Sequence, residues 1–169
     1  MKTRLTISLL AGFSLAAGLA PFAGAAEKAI DNVTVVFDDA EHFTDVRDSH
    51  TDMMSTSILN ELQSFVQRTA AARIRPESKL TVTFVDIDLA GMIRPDKDNI
   101  RLMTATTIPR AHVKFQLTDA DGKVTMEGDR RLSDSNYQQN LLPTTRTDPL
   151  GYDKELLRNW IQGEFKRGA

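Results

Sequence analysis

Residues 80–89 read LTVTFVDIDL and residues 111–132 read AHVKFQLTDADGKVTMEGDRRL, and the fold follows from how these two stretches alternate. Ala111, Val113, Phe115 and Leu117 take turns with His112, Lys114 and Gln116. A period of two puts the first set on a buried face and the second in water. Residues 118–123 then reverse the chain. Gly122 is free to take a positive φ, and Asp119 or Asp121 can accept from turn amides. Val124, Met126, Gly128, Arg130 and Leu132 share one face of the returning strand. In the first stretch Leu80, Val82 and Phe84 alternate with threonines, and the phase then shifts to Val85, Ile87 and Leu89. A bulge at Phe84-Val85 keeps both sets inward and sends Asp86 and Asp88 outward.

Outward from this centre the elements fall into line. Residues 33–37 (VTVVF) read as a first strand. Residues 38–52 are polar and read as a loop. Over 52–73 the period becomes helical, with Ile58, Leu59, Leu62, Phe65, Val66 and Ala70 on one face. Ser49, Thr51 or Ser55 is the cap, and Pro76 lies beyond the end. Residues 91–99 read as a charged loop, 100–108 as a weakly patterned, Thr-rich further strand, and 133–149 as an ordered loop. A last helix spans 150–166, with Tyr152, Leu156, Trp160, Ile161 and Phe165 as its apolar stripe and Asp148-Pro149 at its start. The order β-α-β-(β)-β-β-α means α+β. The expected architecture is a mainly antiparallel sheet of four to five strands with two amphipathic helices on one face. A split β-α-β unit from 33 to 89 calls for a right-handed crossover.

The first residues do not belong to this domain. Lys2 and Arg4 precede an apolar run over 7–20, followed by Pro21 and Ala23-Gly24-Ala25. That pattern is a secretory signal peptide over 1–25, with 26–169 as a single α+β domain. The run is too short for a good membrane span. Cleavage is expected after Ala25, with Ala26 as the second choice; the first leaves 144 of the 169 residues and 19 of the 21 basic residues against 23 acidic ones, a net charge of −4. A mildly acidic chain without a basic block points away from nucleic acid. With no cysteine there is neither disulfide nor lipidated thiol, so stability rests on packing, and no stable membrane insertion is expected once the leader is gone.

Candidate chemistry is sparse. Asp86 and Asp88 at i, i+2 point the same way, and Asp96 and Asp98 follow in the next loop. Four carboxylates are the chain's candidate ligands for a hard cation such as calcium. The competing reading is a solvated strand end, with carboxylates capping turns or pairing with Arg94 or Arg101. Asp119-Ala120-Asp121-Gly122 resembles the start of a calcium loop but lacks the closing Glu, and a hairpin turn explains it. His42, His50 and His112 would need to converge with carboxylates to bind zinc or copper. Nucleophile motifs and glycine-rich phosphate loops are absent from the sequence. Arg130 and Arg131, with Asp134 and Tyr137, form a polar knot after the hairpin. It suits an anionic or glycan ligand, or else Asp129 and Asp134 pair those arginines and pin the following loop.

Taken as an ordered set, VTVVFDDAEHFTDVR (33–47), VDIDLAG (85–91), LTDADGKVTMEGDRRL (117–132), SDSNY (133–137), DPLGY (148–152) and WIQGEF (160–165) resemble the Domain of Unknown Function 3016 family. The resemblance implies a small exported protein of proteobacterial type. It implies no activity, so no functional residue carries over. The expectation is a periplasmic or secreted, non-catalytic binding or assembly module, whose partner is an envelope protein or small ligand. The alternative is an extracytoplasmic metal-dependent hydrolase with an acidic site around Asp86 and Asp88.

Overall fold

A computed structural model of the chain describes residues 30–48, 53–139 and 147–166. The expected leader, His50, the cap candidates Ser49 and Thr51, and residues 140–146 of the long loop lie outside these. The elements are β1 (Val33–Phe37), α1 (Thr56–Ala71), β2 (Lys79–Asp88), β3 (Met92–Arg94), β4 (Ile100–Leu102), β5 (Arg110–Thr118), β6 (Val124–Ser133) and α2 (Gly151–Glu164).

The class is α+β, but the sheet is mixed. Its order is β1-β2-β5-β6, with β1 parallel to β2 and the other two pairs antiparallel. The parallel pair follows from α1, which carries the chain back before β2 starts. Val33, Val35 and Phe37 thus lie beside Leu80, Val82 and Phe84, which lie beside Leu117, Phe115 and Val113. These inward sets join Leu59, Leu62, Val66 and Ala70 of α1 and Leu157, Trp160 and Ile161 of α2 in one core. Both helices therefore cover the same face of the sheet, and the other face carries threonines and charges. The bulge falls where the phase shift required it. Register is lost between Phe84 and Asp86, with Ile87 buried again beyond it.

The β5–β6 turn is also as read. Gly122 has φ 80°, and Asp119 Oδ1 accepts from the amides of Asp121 and Lys123, each at 3.0 Å. Ser55 is the cap of α1, its hydroxyl accepting from the Ile58 amide at 3.4 Å. Asp148 works one step ahead of α2, accepting from the Leu150 amide at 2.9 Å.

The 91–108 excursion differs from expectation. Among the described residues no fifth strand joins the sheet. Gly91, at φ 84°, turns the chain out of it, and β3 and β4 pair only with each other. Part of the expected loop is therefore strand, and the expected strand is only three residues long. The Thr104–Thr107 turn, closed by the two hydroxyls at 2.9 Å, ends it. Among the described residues, no helix is long and apolar enough to cross a membrane.

Gly128 is packed closely against the sheet's own side chains. A Cβ there would sit 2.7 Å from Phe115 Cε1 and 2.8 Å from Arg130 Nη1. Phe115 cannot give way, because its ring meets Trp160 at 6.0 Å and Phe165 at 5.4 Å. Overpacking of this kind costs about 1–3 kcal/mol. A Gly128→Ala variant should therefore melt well below the parent in a thermal scan, and an unchanged midpoint would show that the ring has room.

Candidate functional site

The six residues singled out by sequence do not form one site. Asp86 accepts from the Thr44 amide at 2.7 Å and from the Thr44 hydroxyl at 2.8 Å. It holds the 38–48 segment against the sheet. Asp88 pairs with its cross-strand partner Arg110 at 2.9 Å. Asp96 is gripped by Arg94 through two bonds, of 2.8 and 2.7 Å. Each of these three carboxylates has its own partner. Among the described residues no group of three metal-ligating side chains converges. His42 pairs with Asp39, and His112 with Asp129 at 2.7 Å, on separate parts of the surface.

The polar knot also comes apart. Arg130 lies on the helix side of β6, where its Nη1 donates to the Asp129 backbone carbonyl at 3.0 Å, while the Asp129 carboxylate goes to His112. Its guanidinium grips Glu164 of α2 at 2.9 and 2.8 Å and lies 5.4 Å over the Phe115 ring. That grip holds the guanidinium's pKa above its usual value. So Arg130 pins a helix end, where the sequence suggested a loop. Arg131 faces the open side, opposite His112. Asp134 accepts from the Asn136 amide at 2.8 Å. Tyr137 is buried, donates to the Thr104 carbonyl at 2.7 Å and meets Tyr152 edge-on at 4.8 Å. It anchors the Thr104–Thr107 turn to the start of α2.

The groups that do come together lie at the end of the sheet where β1 and β2 stop and both helices begin. After β1 the chain runs on beside β2. Asp45 donates its amide to the Ile87 carbonyl and accepts from the Leu89 amide. Its carboxylate takes both terminal nitrogens of Arg101, at 2.6 and 3.2 Å. Arg101 sits in β4 opposite Ile93, and its Nη1 also reaches the Ala90 and Gly91 carbonyls, both at 3.4 Å. From the other side Asp153 of α2 accepts from the Ala90 amide at 2.9 Å. Asp153 and Arg101 thus meet at the amide and the carbonyl of Ala90, and Asp45 joins them through Arg101.

Asp153 is only 6% exposed. Burial pushes its carboxyl up to about 7. The Ala90 amide and the Arg101 charge work against burial without overcoming it. Lys154, next along α2, is turned to Glu61 and Asp148, at 2.5 and 2.6 Å. Burial lowers its pKa, but these bonds leave it raised.

Two clefts flank this junction. One of about 480 Å³ has Leu89, Ile93, Met103 and Leu150 as its apolar floor, with Ser55, Ser57 and Arg101 among its polar groups. The other, of about 360 Å³, is lined by Asp45, Asp88, Gly91, Thr106 and Arg110 among others. Above them stands the β3–β4 hairpin. Ile93 and Arg101 face inward, so Met92, Ile100 and Leu102 face out with Arg94. They are 43%, 54% and 41% exposed, and are three of the six exposed large apolar side chains among the described residues. Single exposed apolar residues are ordinary, whereas a contiguous set marks a contact surface.

The sequence carried one unused sign of this junction. Asp153 occupies the apolar phase of α2, between Leu150 and Leu157, where a carboxylate is out of place.

A family model described as protein of unknown function (DUF3016) matches residues 31–163. No curated protein and no solved structure matches the chain.

Proposed function

The chain belongs to the family of unknown function DUF3016, and from that premise we propose that it is an exported, non-catalytic binding or assembly module. Its contact surface is the outward face of the β3–β4 hairpin. One observation carries this reading: the exposed triplet Met92, Ile100 and Leu102 on a hairpin that stands off the main sheet. The hairpin is short and would be marginal alone. Its inner face is nevertheless fixed by the Asp45–Arg101 pair, so the apolar set is presented on a firm base. A protein partner in the envelope fits an outward apolar face better than a small ligand does.

Further support comes from how the ionisable groups are used. The carboxylates of the acidic-site alternative already hold Thr44 and Arg110, and the two described histidines hold carboxylates. Export rests on the leader: Lys2, Arg4, the apolar run and Ala23-Gly24-Ala25. Protein recovered from the periplasm or medium of its host should begin at Ala26. A chain that still begins at Met1 would remove the export reading.

Replacing both Ile100 and Leu102 by Lys should leave stability within about 0.5 kcal/mol, since these side chains face water. The same variant should lose the parent's co-purifying envelope partner. Retention of that partner by a folded double variant would move the contact surface elsewhere.

A further inference from the structure

We propose that β6 is an interface strand and that its occupant is a second copy of this chain, added antiparallel about a two-fold axis at Asp129 to make one eight-stranded sheet. The order β1-β2-β5-β6 leaves β1 and β6 as the two edges of the four-stranded sheet. They are finished differently. β1 has five residues, and α1 places Gln67 Nε2 on the Val33 carbonyl at 3.2 Å. β6 has ten residues and contains neither proline nor lysine, two of the residues that blunt an exposed edge.

The ladder decides which peptide groups of β6 face outward. Asp134 donates its amide to the Pro109 carbonyl at 3.4 Å, one step beyond the Arg110–Ser133 pair. Bonded pairs alternate along an antiparallel ladder. Leu132, Arg130, Gly128 and Met126 therefore turn their N–H and C=O towards β5, and Ser133, Arg131, Asp129 and Glu127 turn theirs out. Among the described residues one hydrogen bond reaches these outward groups: Arg130 Nη1 donates to the Asp129 carbonyl at 3.0 Å. That carbonyl keeps its second lone pair.

Self-complementarity selects the occupant. A two-fold axis at Asp129 sets Glu127 opposite Arg131 of the partner subunit, and Arg131 opposite Glu127 of the partner subunit, on the open face. On the helix side it sets Met126 opposite Leu132 of the partner subunit, and both of these side chains are only partly buried in the single chain. The two copies of Asp129 meet on the axis, but each carboxylate goes to His112 of its own β5 at 2.7 Å and so leans away from the added strand. Opposite-charge and apolar cross-strand pairs are stabilising, and main-chain bonds along the edge supply the rest. Such a contact uses the same patch on both copies and closes at the dimer.

Sedimentation equilibrium of the mature chain, residues 26–169, over a dilution series should show monomer passing to dimer and nothing larger. Arg131 is exposed, so Arg131→Glu should melt with the parent yet dimerise roughly tenfold more weakly, because two attractive pairs become repulsive. Adding Glu127→Arg to that variant should restore the parent's association. Position is read by cross-linking, for which the cysteine-free chain gives no background. Opposed residues of a bonded antiparallel pair have Cα atoms about 5.5 Å apart, within disulfide reach. An equimolar mixture of Glu127→Cys and Arg131→Cys should oxidise to the mixed dimer, and neither variant should do so alone. Monomer at every concentration overturns the proposal. So does an Arg131→Glu dimer as tight as the parent's, or equal cross-linking of each cysteine variant with itself. The Ile100 and Leu102 double variant should dimerise as the parent does, which separates this edge from the β3–β4 hairpin, and loss of the dimer there would place the contact between copies on the hairpin instead.

Discussion

Phe115→Ala should cost about 3–5 kcal/mol, the range for deleting a fully packed aromatic ring from a core. The ring does four jobs at once. It is flanked by Trp160 and Phe165 of the α2 end at 6.0 and 5.4 Å. It carries the Arg130 guanidinium at 5.4 Å, and it covers the bare backbone of Gly128. Its loss therefore opens a cavity and also frees the ion pair that holds α2 to β6. A domain of this size has about 5–15 kcal/mol in total, so the variant should be near the edge of folding at physiological temperature. Urea titration of the variant gives the number, and a loss under about 1 kcal/mol would mean that α2 does not lean on this ring.

Asp153→Asn should act in the opposite direction, by an amount that grows as pH rises from about 4 to about 7. The carboxyl is raised from 3.8 to about 7 in the folded chain. The folded state therefore holds a proton that the unfolded state releases between about pH 4 and pH 7. The stability linked to Asp153 is complete below that window and is lost as pH rises through it. Three pKa units correspond to about 4 kcal/mol. Asparagine keeps the acceptor without the charge, so most of that loss should be recovered at about pH 8, on the order of 10 °C in melting midpoint. At about pH 4 the parent carboxyl is neutral and the two proteins should melt together. A gain that is equal at both pH values would contradict the burial argument.

How much of this was legible before the fold was known varies residue by residue. The β5–β6 hairpin was, because alternation over nine residues and a glycine in the turn are local signals. The bulge was legible too, since only an extra residue near Val85 reconciles two apolar phases on one strand. The β3–β4 hairpin was not, because strands of three residues are too short to display a period. The parallel pairing of β1 depends on where α1 returns the chain, which no local pattern encodes. The site was hidden for a related reason. Arg101 and Asp45 are 56 positions apart, and Arg130 and Glu164 are 34 apart. Charge in sequence tells which residues are able to pair and says little about which do. Arg130 sat beside Asp129 and near Asp134, yet the register of β6 turned it to the helix side. Asp153 was marked only by being polar in an apolar phase, and its chemistry comes from burial, a tertiary property.

The most direct test places a photoreactive benzophenone side chain at Ile100, and in a second variant at Thr81 on the open face of the sheet, in the native host. Irradiation should give a discrete higher-mass adduct with the probe at Ile100 and none with the probe at Thr81. No adduct at Ile100, or the same adducts from both positions, would contradict the assignment of the β3–β4 hairpin as the surface by which this protein works.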